Sequence, residues 1–165
     1  MSLTASRGRL IADVLNARLA DLTVSNGYST NAGNNVLPTG QKDIDPSSDN
    51  LPCVVLLPNP SVATAEDSND EGLSGIILSR EFNIEVVDTS PDQEDWFEQS
   101  EDIIRDIMQA VKAPSAVPAK NWRSKTLGVN RVTLVATNVE PPAEGVDYLQ
   151  VSATFAVRYV ERFYI

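Results

Sequence analysis

Residues that could do chemistry come first. Ser25 to Val36 reads SNGYSTNAGNNV, with glycines at Gly27 and Gly33 among small polar side chains. A phosphate-cradling loop needs G-x-x-x-x-G-K-[ST] after a strand, because its lysine and hydroxyl serve the phosphates and the metal. Here the preceding pattern is helical, Gly33 is followed by Asn34 and Asn35, and no lysine is near. A dinucleotide fingerprint fails on the same ground. Asn-rich turns between a helix and a strand need no ligand to explain them, so the stretch reads as a connector.

The other candidates fare similarly. Cys53 is the single cysteine and the chain has no histidine. An intrachain disulfide is therefore excluded, and a thiolate nucleophile would lack its usual base. Within LPCVVLL the thiol reads as a small buried hydrophobe. Asp67, Asn69 and Glu71 alternate ahead of Gly72 like part of a calcium loop, but the closing bidentate glutamate would fall at Leu78. Glu81 and Glu85 share the polar side of one strand, ~13 Å apart by strand rise. Glycoside chemistry requires about 5–9.5 Å. No Ser-His-Asp arrangement exists without histidine, and nothing suggests a Ser-Lys pair. The residues predict no enzyme, no cofactor and no metal site.

Composition narrows the partners. The chain has 165 residues, of which 42% are apolar and 22% charged, the profile of one globular domain spanning residues 1–165. No apolar run approaches the ~18 residues of a membrane span. The N-terminal MSLTASRGRL lacks the apolar block of a secretion signal, which predicts a soluble protein made in the cytoplasm. Thirteen basic against 23 acidic residues give a net charge of −10. Nucleic-acid binders draw affinity from a basic footprint, so this chain repels DNA on average. Arg7, Arg9 and Arg18 alternate with Asp13 and Asp21, which reads as a solvated helix face.

The elements that would position these residues follow from periodicity. Leu10, Ile11, Val14, Leu15, Leu19 and Leu22 form one helix face, with Gly27 as the stop signal. A short strand is expected at 31–37, a loop at 39–50, and a buried strand at LPCVVLLP, 51–58. NPSVATAEDSNDEGLSG, 59–75, is turn-rich and acidic and reads as mobile. In IILSREFNIEVVD, Ile76, Leu78, Phe82, Ile84 and Val86 alternate with Ser79, Glu81, Asn83 and Glu85, while Arg80 interrupts the apolar side. Ser90, Pro91 and Gln93 then form a helix-start signature. Phe97, Ile103, Ile104, Ile107, Met108 and Val111 follow helical spacing up to Pro114. Strands are expected at RVTLVATNV, 131–139, and from Tyr148 onward, where Leu149, Val151, Ala153, Phe155, Val157 and Tyr159 share a side. The expected fold is α+β, in the order α-β-β-β-α-β-β. It would be a largely antiparallel mixed sheet covered on one face by two helices.

The last residues, RYVERFYI, set Phe163, Tyr164 and Ile165 beside Arg158 and Arg162. Aromatics with arginine are the types enriched at protein interfaces, so these five are the expected oligomer or partner contact. Tyr159, in phase with Phe155 and Val157, is expected to finish the core.

IADVLNARLADLTVSNGYSTNAGNNV, followed after a polar loop by DNLPCVVLL, resembles the start of the tail terminator (tail completion) proteins of long-tailed bacteriophages and prophages. In that group an N-terminal helix leads into a Gly-Tyr turn, a short G-x-x-V segment and a strand entered through a proline. The motif-like part lies within residues 11 to 57. The resemblance implies a structural protein of the virion tail, assembled in the host cytoplasm. It would form a hexameric ring on the head-proximal end of the tail tube, closing there from subunits that are monomeric when dilute, with tail tube protein and a head-completion or connector protein as partners. DNA would pass through the lumen without specific binding. A head-tail joining protein, or a small ligand-binding domain, are the alternatives.

Overall fold

The computed structural model describes residues 5–46, 50–65, 75–90 and 94–162. Helix α1 spans Arg7–Leu19. Ser6 caps it, its Oγ accepting the Arg9 N–H at 3.3 Å. Ile11, Val14, Leu15 and Leu19 face inward and are at most 6% exposed. The helix ends before the expected glycine. Gly27, at φ +89°, instead closes a following 3₁₀ turn over Val24–Asn26, a left-handed position that glycine occupies without steric cost.

The segment at 31–37 enters a second 3₁₀ turn, Ala32–Asn34, and then joins the sheet through a single parallel bridge between Val36 and Val54. Strand β1 runs Cys53–Thr64, β2 Gly75–Thr89, β3 Val129–Glu140 and β4 Tyr148–Arg162, with helix α2 at Trp96–Lys112 between β2 and β3. The order of the fold is as expected, α+β, with the first strand position reduced to that bridge. The four strands form an antiparallel sheet in the order β1-β2-β4-β3.

Register explains which face is buried. Val54, Val86, Val151 and Val139 lie in one row, Pro58, Phe82, Phe155 and Leu134 in another. Apart from Pro58, their side chains meet Ile11, Leu15 and Leu19 of α1 and Ile103, Ile107 and Val111 of α2 in one core. Each fully buried Leu, Ile or Phe there contributes roughly 1.5–3 kcal/mol relative to exposure. Both helices cover the same face. A smaller cluster of Leu37, Cys53, Val55 and Val87, with Ile44, Leu51 and Leu57 against it, covers only the β1 end of the opposite face. Cys53 is fully buried there.

Several expectations need correcting. β1 does not stop at Pro58: it continues to Thr64, with a register shift between Pro58 and Val62. Prolines read as strand stops in sequence, yet an edge strand tolerates them because its outer N–H groups face no partner strand. The rest of the expected acidic loop, 66–72, lies outside the described residues, as do Asp67, Asn69, Glu71 and Gly72. Ser90 does not cap α2. It is buried, and its N–H donates to Asp147 O at 2.7 Å, so it belongs to the end of β2; Pro91 and Gln93 lie outside the described residues. Asp95 is the N-cap residue, without a side-chain cap bond. Phe97 is 59% exposed and leaves the core to Trp96.

The reading of Arg18 as solvated also fails. It is 3% exposed, and its Nη1 donates to Ala110 O at 3.0 Å and Ala113 O at 2.8 Å at the C-terminal end of α2. Its guanidinium lies 5.2 Å from the Trp122 ring centroid. The unpaired carbonyls and negative dipole end of one helix thus recruit a cation from the other.

Candidate functional site

The loop that raised the question of phosphate is already occupied by the protein's own carboxylates. The Ser29 N–H donates to Asp106 Oδ2 at 2.7 Å, and the Ser29 hydroxyl donates to the same oxygen. Thr30 Oγ1 donates to Asp88 Oδ2 at 3.0 Å while the Thr89 N–H holds the other oxygen at 2.7 Å. Burial pushes the Asp88 carboxyl above its ordinary range, against the pull of those bonds. Gly33 has a separate reason to be glycine. A Cβ there would sit 2.7 Å from Ala20 O and Leu22 N, so the backbones touch. The loop fastens α1 to β2 and α2, and its donors serve Asp88 and Asp106.

Among the described residues, the larger feature is the sheet face that neither helix covers. Even-numbered residues of β4 point to it, Gln150, Ser152, Thr154, Ala156 and Arg158, all half-buried. Beside them on β2 stand Ser79, Glu81, Asn83 and Glu85, as the alternation predicted. The polar groups form a network. Gln150 Nε2 donates to Glu85 Oε2 at 3.0 Å and Asn83 Nδ2 to Glu85 Oε1 at 3.1 Å. Thr154 Oγ1 donates to Asn83 Oδ1 at 3.2 Å. Burial, then the charge of Glu140, pushes Glu85 above the usual carboxylate range, and the two amide donors pull it back.

Of the expected contact residues, Arg158 and Arg162 lie on this face near the end of β4, Arg158 half-buried and Arg162 exposed. Arg158 stands opposite Ser79 on one side and Arg131 on the other, and Arg162 opposite Gly75. Phe163, Tyr164 and Ile165 lie outside the described residues. Tyr159 points to the other face and is 2% exposed, in the core as its phase required. Burial raises its hydroxyl above the ordinary value, with Arg80 opposing. Arg131 was missed: in sequence it merely opens a strand, and only the antiparallel register of β3 on β4 brings it to Arg158.

Two shallow hollows also lie on the surface of the described residues. One of about 230 Å³ lies between α1 and the 118–127 segment, lined by Leu10, Asp13, Val14, Pro118 and Leu127. Another of about 240 Å³ lies where β1 shifts register, beside Ser61, Ser79 and Glu81. Among the described residues, no group of three or more His, Cys, Asp or Glu is placed to hold a metal ion. No helix among them is long and apolar enough to cross a membrane.

Neither protein-family models nor curated proteins give a match to this chain.

Proposed function

We propose that the chain is a tail terminator subunit of a long-tailed bacteriophage or prophage. Six copies close into a ring on the head-proximal end of the tail tube, end its polymerisation and offer a surface for head attachment. The observation that carries this reading is the uncovered sheet face with its arginines at the end of β4, a surface suited to protein contact. The residue resemblance across 11–57 supports it, as does a fold whose glycine loop is filled by its own acids. The net charge of −10 suits a lumen that DNA must slide through without sticking.

The test is electron microscopy of the purified protein mixed with tail tubes. Sixfold rings capping one end of the tubes, with growth halted there, are expected. Tubes never capped at any protein concentration would overturn the assignment.

A further inference from the structure

Asparagines are scattered along the whole chain, and Asn26 alone is followed by glycine. An asparagine side chain next to glycine is open to attack by the main chain, because no Cβ on the following residue shields its nitrogen. The Gly27 nitrogen can lose its proton and bond to the side-chain carbonyl carbon of Asn26, closing a succinimide ring. The side-chain nitrogen leaves as ammonia, taking up that proton. Water then opens the ring at either carbonyl. The products are aspartate and isoaspartate, the latter with an extra carbon in the main chain.

The fold both presents and restrains these atoms. Asn26 ends the 3₁₀ turn Val24–Asn26, which has no buried residue, and Gly27 follows at φ +89°. Val24, Ser25, Asn26 and Gly27 are all exposed. Among the described residues nothing lies within 4 Å of where a Cβ on Gly27 would stand. What occupies the reacting groups is hydrogen bonding. The Gly27 N–H donates to Val24 O at 3.0 Å, and Asn26 Nδ2 donates to Asp21 O at 3.0 Å. The Val24 N–H is fixed by Asn31 Oδ1 at 2.9 Å. The Asn26 and Tyr28 N–H groups both donate to Thr23 O, at 3.0 and 3.2 Å. A turn held by exposed hydrogen bonds, without apolar burial, belongs to the low-stability end of a fold and opens locally.

We propose that Asn26 is a site of spontaneous deamidation, gated by the opening of this turn, and that its product loosens the grip of the 28–30 loop on α2. The proposal is independent of the ring reading above. A carboxylate at position 26 cannot donate to Asp21 O, so acceptor faces acceptor. It also adds a negative charge next to the residue whose carboxylate pairs with Lys120 at 2.8 Å. The isoaspartate form lengthens the main chain inside the turn, so the Gly27 and Tyr28 bonds to Val24 and Thr23 lose their geometry. Tyr28 leads directly into Ser29, whose N–H and hydroxyl serve the buried Asp106 of α2. A change at position 26 is thereby passed to the contact that fastens the loop.

Incubating the full folded chain at mildly alkaline pH tests this, with intact mass and peptide mapping as the readout. The peptide holding residue 26 should exchange its amide for an acid, part of it as isoaspartate that an isoaspartyl methyltransferase labels. Conversion should run about ten- to a hundredfold slower than in the chain unfolded by urea, the equivalent of the few hydrogen bonds that must open. Asn31→Ala, which frees the Val24 N–H, should speed it about fivefold, the equivalent of one such bond. Asn31 and Asn26 are exposed, so circular dichroism should confirm the fold of each variant. Asn26→Gln keeps an amide but requires a larger ring, and should stay intact. Asn26→Asp should make the Ser29 amide exchange with solvent several-fold faster, read by NMR. Conversion that starts at another asparagine, or none at Asn26 long after the unfolded chain has converted, removes the site. Conversion equally fast in the folded and unfolded chain, or indifferent to Asn31→Ala, shows that the turn is no gate. Unchanged Ser29 exchange in Asn26→Asp refutes the loosening of the loop.

Discussion

At Glu85 three forces act on one carboxyl. Burial against the half-covered sheet and the nearby Glu140 both favour the protonated form, while the Asn83 and Gln150 amides favour the ionised one. The first two prevail, so the folded state holds its proton to higher pH than the unfolded chain does. Ionisation at this position therefore opposes folding. The cost is full above the raised value, fades as pH falls through it, and is gone below the unfolded glutamate value of about 4.3. Glu85→Gln removes the charge and keeps the shape, and the Gln150 amide can turn to serve it. The variant should melt higher than the parent at pH 7 to 8, by less than about 1 kcal/mol because the group is half open to solvent. The advantage should shrink toward zero as pH falls to about 4. Melting curves at several pH values check this; a gain that is constant with pH would mean that packing, not charge, is responsible.

Between elements, the joint of α1 and α2 turns on Arg18. Burial pulls its guanidinium below the ordinary value, yet the side chain stays because two α2 carbonyls and the Trp122 ring receive it. Trp122 is itself held by α2, its Nε1 donating to Val111 O at 2.6 Å. Lys120 closes the same corner on Asp21 at 2.8 Å. Arg18→Met keeps the length but strands the carbonyls of Ala110 and Ala113, and should cost roughly 2–3 kcal/mol, read as a lower urea midpoint at unchanged slope. Arg18→Lys keeps the charge without the fork and should recover less than half of that loss. A midpoint unmoved by Arg18→Met would show that the joint is held by apolar packing alone. This joint also marks the limit of sequence reading. The apolar faces of α1, β2 and β4 were legible because one period places every residue on a known side. Arg18 was not, since its partners lie some ninety residues on and no local pattern announces them. Phe97 kept helical spacing, but its neighbour Trp96 takes the place against the core. On the polar face of the sheet, Arg158 and Arg162 were singled out by residue type, whereas the placing of Arg131 opposite Arg158 needed the strand register.

For the whole molecule, a sheet with one uncovered face and two edges faces a hazard: open edges invite unlimited strand addition. A protein proposed to end growth must not itself grow, and both edges are blunted. β3 breaks register between Val129 and Arg131 and again between Leu134 and Ala136, with Val135 51% exposed at the second break. In β1, Pro58 and Pro60 have no N–H to offer, and the N–H of Ser61 is taken by Asn59 Oδ1 at 3.0 Å. Edge pairing is thus disfavoured at these positions. Replacing both prolines, Pro58→Thr with Pro60→Thr, restores two donors and a residue type that favours strands, without adding apolar surface. Circular dichroism should show the fold retained, because neither proline lies in the core cluster. Light scattering and sedimentation should show open-ended, concentration-dependent aggregation, unlike the closed species expected of the parent. Adding Val62→Lys, a charge on the same edge, should suppress it. A double variant as monodisperse as the parent at every concentration would show that the prolines do not guard this edge, and that the bulges of β3 or the hairpin's own twist keep the molecule from polymerising.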